Sequence, residues 1–187
     1  MQRQARSLRI TVPTLFTLLR FACIPFLLAA IYAQSWSVAL ALFLAAAVTD
    51  AIDGALARWL HQQTLLGACL DPLADKSLII SSFIGIAYTV GATFIPWWFI
   101  ICICIKDLVL VLGSTYIWWN KKLSVEPILL GKLAMVLQSA YGCYLLLKLL
   151  LGFSLSFLTT LFFWLMCIVS FMSFAHYLSR FFLWQRV

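Results

Sequence analysis

The sequence predicts an all-α integral membrane protein with six transmembrane helices, and three observations carry that expectation. Of its 187 residues, 65% are hydrophobic and 10% charged, and the mean hydropathy is +1.05. A soluble chain of this size needs far more polar surface, so water-soluble globular, disordered and DNA-binding classes are excluded. Six apolar runs reach the roughly twenty residues that a bilayer core demands of a helix, and none alternates with period two as a barrel strand does. The length fits one membrane-embedded domain over residues 1–187.

The first span is expected near 14–33. It follows a basic stretch, 1–13, in which Arg3, Arg6 and Arg9 interleave with Leu8, Ile10 and Val12. That stretch reads as a topology anchor or a short interfacial helix. It does not read as a cleavable signal, because the apolar run after it is too long and lacks a small-residue cleavage site. The second and third spans, near 38–60 and 68–90, carry most of the acidic residues. The fourth, near 95–119, opens on Trp97 and Trp98 and carries Lys106 and Asp107; the fifth and sixth lie near 128–150 and 155–179. The connections Ala33–Ser37, Val90–Thr93 and Gly152–Ser154 are short, so neighbouring helices should be antiparallel and adjacent. A turn near His61–Leu66 should fold the second and third spans into a hairpin.

Charge sets the orientation. Arg3, Arg6, Arg9, Arg58, Lys121, Lys122, Arg180 and Arg186 cluster on one side, and the other has only Lys148 near a loop. The positive-inside rule then puts both termini and the 61–67 and 120–127 loops in the cytoplasm. Trp36, Trp97 and Trp98 mark the outer interface; Trp59, Trp118, Trp119 and Trp184 mark the inner one. The net charge of +7 is scattered at the ends of apolar runs, which suits anionic headgroups and not a nucleic acid. The six cysteines sit in apolar runs without a C-x-x-C pair and read as buried thiols.

The informative stretch runs from Asp50 to Lys76. Four of the five aspartates of the chain, Asp50, Asp53, Asp71 and Asp75, lie here inside apolar helices. Each intramembrane charge costs several kcal/mol unless compensated. Arg58 and Lys76 cannot neutralise four carboxylates, which leaves metal as the remainder. Asp50 and Asp53 are i, i+3, and Asp71 and Asp75 are i, i+4, so each pair shares a helix face. An all-oxygen donor set favours Mg2+, Mn2+ or Ca2+ over zinc. Gly54, Ala55, Ala57, Gly67 and Ala68 leave bare faces beside the acids. Such faces serve close helix packing, or leave room for a bulky ligand. Asp71-Pro72 reads as the first turn of a helix, where proline loses no hydrogen bond.

Written as a pattern, the stretch is D-x2-D-G-x2-A-R-x8-G-x3-D-x3-D, on Asp50, Asp53, Gly54, Ala57, Arg58, Gly67, Asp71 and Asp75. It resembles the signature of the CDP-alcohol phosphatidyltransferase family at all eight positions, and the six-helix layout agrees over nearly the full chain. The resemblance implies a membrane enzyme of phospholipid biosynthesis, usually a homodimer, that transfers a phosphatidyl group from a CDP-linked donor to an alcohol and releases CMP. It implies that Asp50, Asp53, Asp71 and Asp75 hold two divalent ions, Mg2+ or Mn2+, and that Asp75 is the general base on the acceptor hydroxyl. Gly54, Ala57, Arg58 and Gly67, with Asp71, would line the cytidine diphosphate pocket. The whole site would face the cytoplasm from a bacterial inner membrane or its equivalent.

The first helix, with Pro13, Leu15, Thr17, Arg20 and Pro25, is similar to the phosphatidylglycerophosphate and cardiolipin synthase branch, as is Gly131-Lys132 followed by Gln138. Thr14 stands where that branch usually has asparagine, Lys106-Asp107 where it commonly has Arg-Glu, and Ala134 where it commonly has a second lysine. The donor would be CDP-diacylglycerol and the acceptor glycerol 3-phosphate, with phosphatidylglycerol as the alternative that the run from Val125 to Lys132 supports. The intramembrane cations Arg20, Lys76, Lys106 and Lys132 are the candidates for the acceptor phosphate. Their plain alternatives are local: a Lys106–Asp107 pair, a Lys76–Asp75 pair, and snorkelling of Arg20 and Lys132. His61 and His176 read as loop and interfacial residues. Two other classes remain, a cation transporter with a carboxylate permeation site and a structural membrane protein with a vestigial site.

Overall fold

The computed structural model describes residues 12–59, 65–92, 94–121, 129–152 and 156–185. Six helices account for nearly all of them: α1 Val12–Tyr32, α2 Trp36–Trp59, α3 Leu65–Thr89, α4 Trp97–Lys121, α5 Leu129–Leu151 and α6 Ser156–Gln185. Five lie within a few residues of the apolar runs. The sixth continues past residue 179 to a length of 30 residues, about 45 Å at the usual rise.

Leu65 opens α3, so Pro72 is the eighth residue of that helix and not part of its first turn as the sequence led us to expect. Leu65, Leu66 and Leu70 are good helix formers, and they extend the helix upstream of the proline. Pro72 has no N–H to give the carbonyl of residue 68. Pro25 is likewise inside α1.

The three short connections turn on residues in the left-handed region. Gln34 has φ 54°, and the bonds from Gln34 N–H to the Ile31 carbonyl and from Ser35 N–H to the Ala30 carbonyl, both 2.9 Å, close α1 as a Schellman cap. Gly91 and Gly152, at φ 95° and 68°, follow the ends of α3 and α5. Thus α1–α2, α3–α4 and α5–α6 fold back on each other in contact, as the short links predict.

Of the turn expected near His61–Leu66, residues 60–64 lie outside the described residues. Among the described residues, α1 packs extensively on both α2 and α3, while α2 also meets α5, and α3 also meets α4 and α5. Gly85 explains how α1 nestles against α3. A Cβ there would come within 3.2 Å of Leu28 and Ile31. Gly142 does the same for α5, where a Cβ would lie 3.2 Å from Phe43 of α2. Small residues let helix backbones approach where the solvent gives no hydrophobic drive. The core joins Leu27, Ile31, Phe43, Phe83, Ile86, Tyr141, Leu145, Leu146 and Met166. Large apolar side chains also cover the outside: Phe157 is 76% exposed, Phe171 73% and Val136 64%. A surface of that kind suits lipid, not water.

Candidate active site

Asp50, Asp53, Gly54, Ala57 and Arg58 stand on the last turns of α2, and Gly67 and Asp71 near the start of α3. Their side chains, and His61, lie outside the described residues. Asp75, Lys76, Arg20, Lys106 and Lys132 are described, and four of these five take part in two ion-paired groups, Arg20 with Asp75, and Lys76 and Lys106 with Asp107.

Arg20 of α1 is 1% exposed and forms an ion pair with Asp75 through its Nη1. This is no snorkelling arginine: its guanidinium turns inward, and the carboxylate it meets is the last of the eight-position pattern. Lys76 does not pair with its neighbour Asp75. One residue further round α3, it points to α4, where its Nζ is 3.1 Å from Asp107 Oδ1. Lys106 Nζ is 3.4 Å from that same oxygen and donates a 3.0 Å hydrogen bond to Ser170 Oγ on α6. Gln138 of α5 donates to Ser170 Oγ as well, at 3.4 Å. Asp107, Gln138 and Ser170 are buried. Lys132 is exposed on α5 and makes no ion pair or hydrogen bond among the described residues.

Two ammonium groups therefore share one carboxylate oxygen. Lys76, Lys106 and Asp107 together carry a net positive charge in a place with little water, where an anion is strongly attracted. The same pairing bears on the aspartates of the pattern. In the acidic pattern, then, Asp75 is offset by Arg20 of α1 and not by its neighbour Lys76.

Sequence reasoning found Arg20, Lys76 and Lys106 as intramembrane cations but missed Ser170 and the part Asp107 plays in binding two lysines. Gln138 entered only as a resemblance. A serine within an apolar run is the one signal that Ser170 offered, and hydroxyls of that kind commonly bond their own helix, as Ser82 does with the Ile79 carbonyl at 2.7 Å.

Comparison with known proteins adds the family. The family model for CDP-alcohol phosphatidyltransferase matches residues 10–185. A Mycobacterium tuberculosis protein named provisionally as a cardiolipin synthase is 33% identical over 122 residues, 64% of this chain and 56% of its own. The CMP-forming cardiolipin synthase of Rattus norvegicus is 37% identical over 108 residues, 57% of this chain and 35% of its own. The CDP-diacylglycerol--glycerol-3-phosphate 3-phosphatidyltransferase 1 of Arabidopsis thaliana is 42% identical over 78 residues, 40% of this chain and 26% of its own. The matched part is thus about half or less of each relative's length. With a match over almost its whole length, this membrane protein belongs to the CDP-alcohol phosphatidyltransferase family, whose members use divalent cations.

Proposed function

We propose that this chain is a CDP-alcohol phosphatidyltransferase of phospholipid biosynthesis. It moves the phosphatidyl group of CDP-diacylglycerol to glycerol 3-phosphate, giving phosphatidylglycerophosphate and CMP. Phosphatidylglycerol is the second acceptor to consider, because cardiolipin synthases are among the similar proteins. The observation that carries the reading is the ion pair of Asp75 with Arg20 beside the Lys76–Asp107–Lys106 cluster. It joins the end of the acidic pattern to a cationic seam suited to a phosphate.

In this reading Asp50, Asp53, Asp71 and Asp75 hold two divalent ions, Mg2+ or Mn2+, which neutralise pyrophosphate charge when bound. Gly54, Ala57, Arg58, Gly67 and Asp71 line the nucleotide pocket. Arg20, Lys76 and Lys106 orient the acceptor phosphate, and Lys132 meets it nearer the surface. Asp75 takes the proton of the acceptor hydroxyl. The freed oxygen bonds to the phosphatidyl phosphorus, the bond from that phosphorus to the CMP oxygen breaks, and CMP leaves. Residues 1–187 form one catalytic domain, with 1–13 as an interfacial segment. All six helices span the bilayer. By length and composition, among the described residues, Leu129–Leu151 and Phe157–Ser179 stand out as spans, and Leu18–Tyr32 and Trp36–Thr49 are shorter apolar stretches. Both termini and the site face the cytoplasm, and the enzyme acts as a homodimer.

Purified protein given CDP-diacylglycerol, Mg2+ or Mn2+ and each acceptor separately should release CMP, and the mass of the lipid product identifies the acceptor. EDTA should stop the reaction. Metal flux into liposomes without CMP release from either acceptor would replace this reading with a transporter.

A further inference from the structure

We infer that Ser170 of α6 is a positioning residue for Lys106, and so a determinant of how tightly the acceptor phosphate is held. The inference rests on the proposed transferase reading and assigns a part of it to a helix outside the eight-position pattern.

A lysine ammonium on a four-carbon stem has much rotamer freedom to lose. Among the described residues Lys106 has only its sequence neighbour Asp107 as a counter-ion, at 3.4 Å, and it shares that oxygen with Lys76. Such a contact between adjacent residues fixes a long side chain weakly. Ser170 supplies the second anchor, at 3.0 Å from Nζ. Ser170 is 5% exposed, and Gln138, 3% exposed, donates to it from α5. The hydroxyl oxygen thus accepts from two donors on two other helices. Its own O–H donates to no partner among the described residues, which leaves it to offer to the same anion. Three helices in this way hold one ammonium where an incoming phosphate can displace or join Asp107. The chemistry recognised is a phosphate oxygen, which glycerol 3-phosphate and phosphatidylglycerol share.

A hydrogen bond to a charged group contributes about 1.5–3 kcal/mol. Ser170→Ala should therefore raise the acceptor KM by about tenfold or more, with kcat and the CDP-diacylglycerol KM within about twofold. Ser170→Thr, which keeps the hydroxyl, should recover most of the loss. Ser173→Ala is the control: Ser173 is 2% exposed, one turn along the same helix, and has no bond to Lys106. A second readout is independent of turnover. Inorganic phosphate should raise the melting temperature of the unaltered protein in detergent, and Ser170→Ala should shrink that rise while Ser173→Ala leaves it. An unchanged acceptor KM and phosphate shift in Ser170→Ala, an equal effect in Ser173→Ala, or no phosphate shift in the unaltered protein would each overturn the inference. Absence of CMP release with both acceptors, alongside a phosphate shift that depends on Ser170, would instead fault the transferase reading alone.

Discussion

Lys106 and Lys148 are both drawn into an apolar bundle, yet their ammonium groups are satisfied by different chemistry. Lys106 sits among Asp107, Lys76 and Ser170. Lys148, 8% exposed in the last turn of α5, donates to Thr159 Oγ1 at 2.7 Å and lies 4.4 Å from the centre of the Phe94 ring. Tyr144 shares Thr159 at 3.0 Å, and Tyr141 donates a 2.8 Å bond to the Phe94 carbonyl. None of the chain's six acidic residues lies beyond Glu126 or between Lys76 and Lys106. The charge of Lys148 is therefore spread over a ring, a hydroxyl and the C-terminal end of its own helix. An ammonium held by a carboxylate can trade that partner for a ligand's anion. One held by aromatics and a hydroxyl is a fixed fastening between α5, α6 and the link that precedes α4. The contrast separates a working end of the bundle from a closing end.

The severest break of that division is at Asp75. Asp75→Asn should lower CMP release by about 100-fold or more, since general base catalysis contributes on that scale. It also removes the carboxylate that buried Arg20 pairs with, and breaking a buried pair of this kind costs up to about 3–5 kcal/mol. The double variant Arg20→Met/Asp75→Asn should regain melting temperature in detergent without regaining CMP release. Recovery of both would make Asp75 a purely structural residue.

Next in size, Lys106→Met and Lys148→Met test the two lysines directly. The first should weaken acceptor binding by about tenfold to a hundredfold, read as KM, because it removes one of the three ammonium groups assigned to the phosphate. The second should leave KM and kcat within about twofold, and move the melting point little, because a flexible apolar chain fills the same space. Equal losses of acceptor affinity would erase the distinction.

Packing comes third. Gly142→Val forces a branched side chain against Phe43, which is 1% exposed and cannot yield, and overpacking of this kind costs about 1–3 kcal/mol. Specific activity per folded molecule should hold. The smallest effect belongs to Tyr141→Phe, which deletes the bond to the Phe94 carbonyl and should cost about 1 kcal/mol in detergent unfolding with turnover unchanged.

Much of this division could be read from the sequence. The apolar runs located six helices, because in a bilayer each must satisfy its own backbone and so follows hydropathy closely. The aspartate spacing and Arg20, Lys76 and Lys106 stood out, because charges in apolar runs are rare. Partner choice was not readable. Lys76 follows Asp75 in the chain, yet its side chain leaves α3 in another direction and finds Asp107. Ser170 and Thr159 look alike in sequence, as hydroxyls on one apolar helix, and only helix packing assigns one to Lys106 and the other to Lys148. The position of α1 between α2 and α3 was equally hidden, because it depends on close approach at Gly85 and not on connection length.

That central position of α1 has a consequence for biosynthesis. Arg20 is synthesised with the first helix, but Asp75 lies 55 residues further on. At roughly 5–20 residues per second, a ribosome needs roughly 3–11 s to reach it. Through that interval this ion pair cannot form, and the arrival of α3 is the step that completes it.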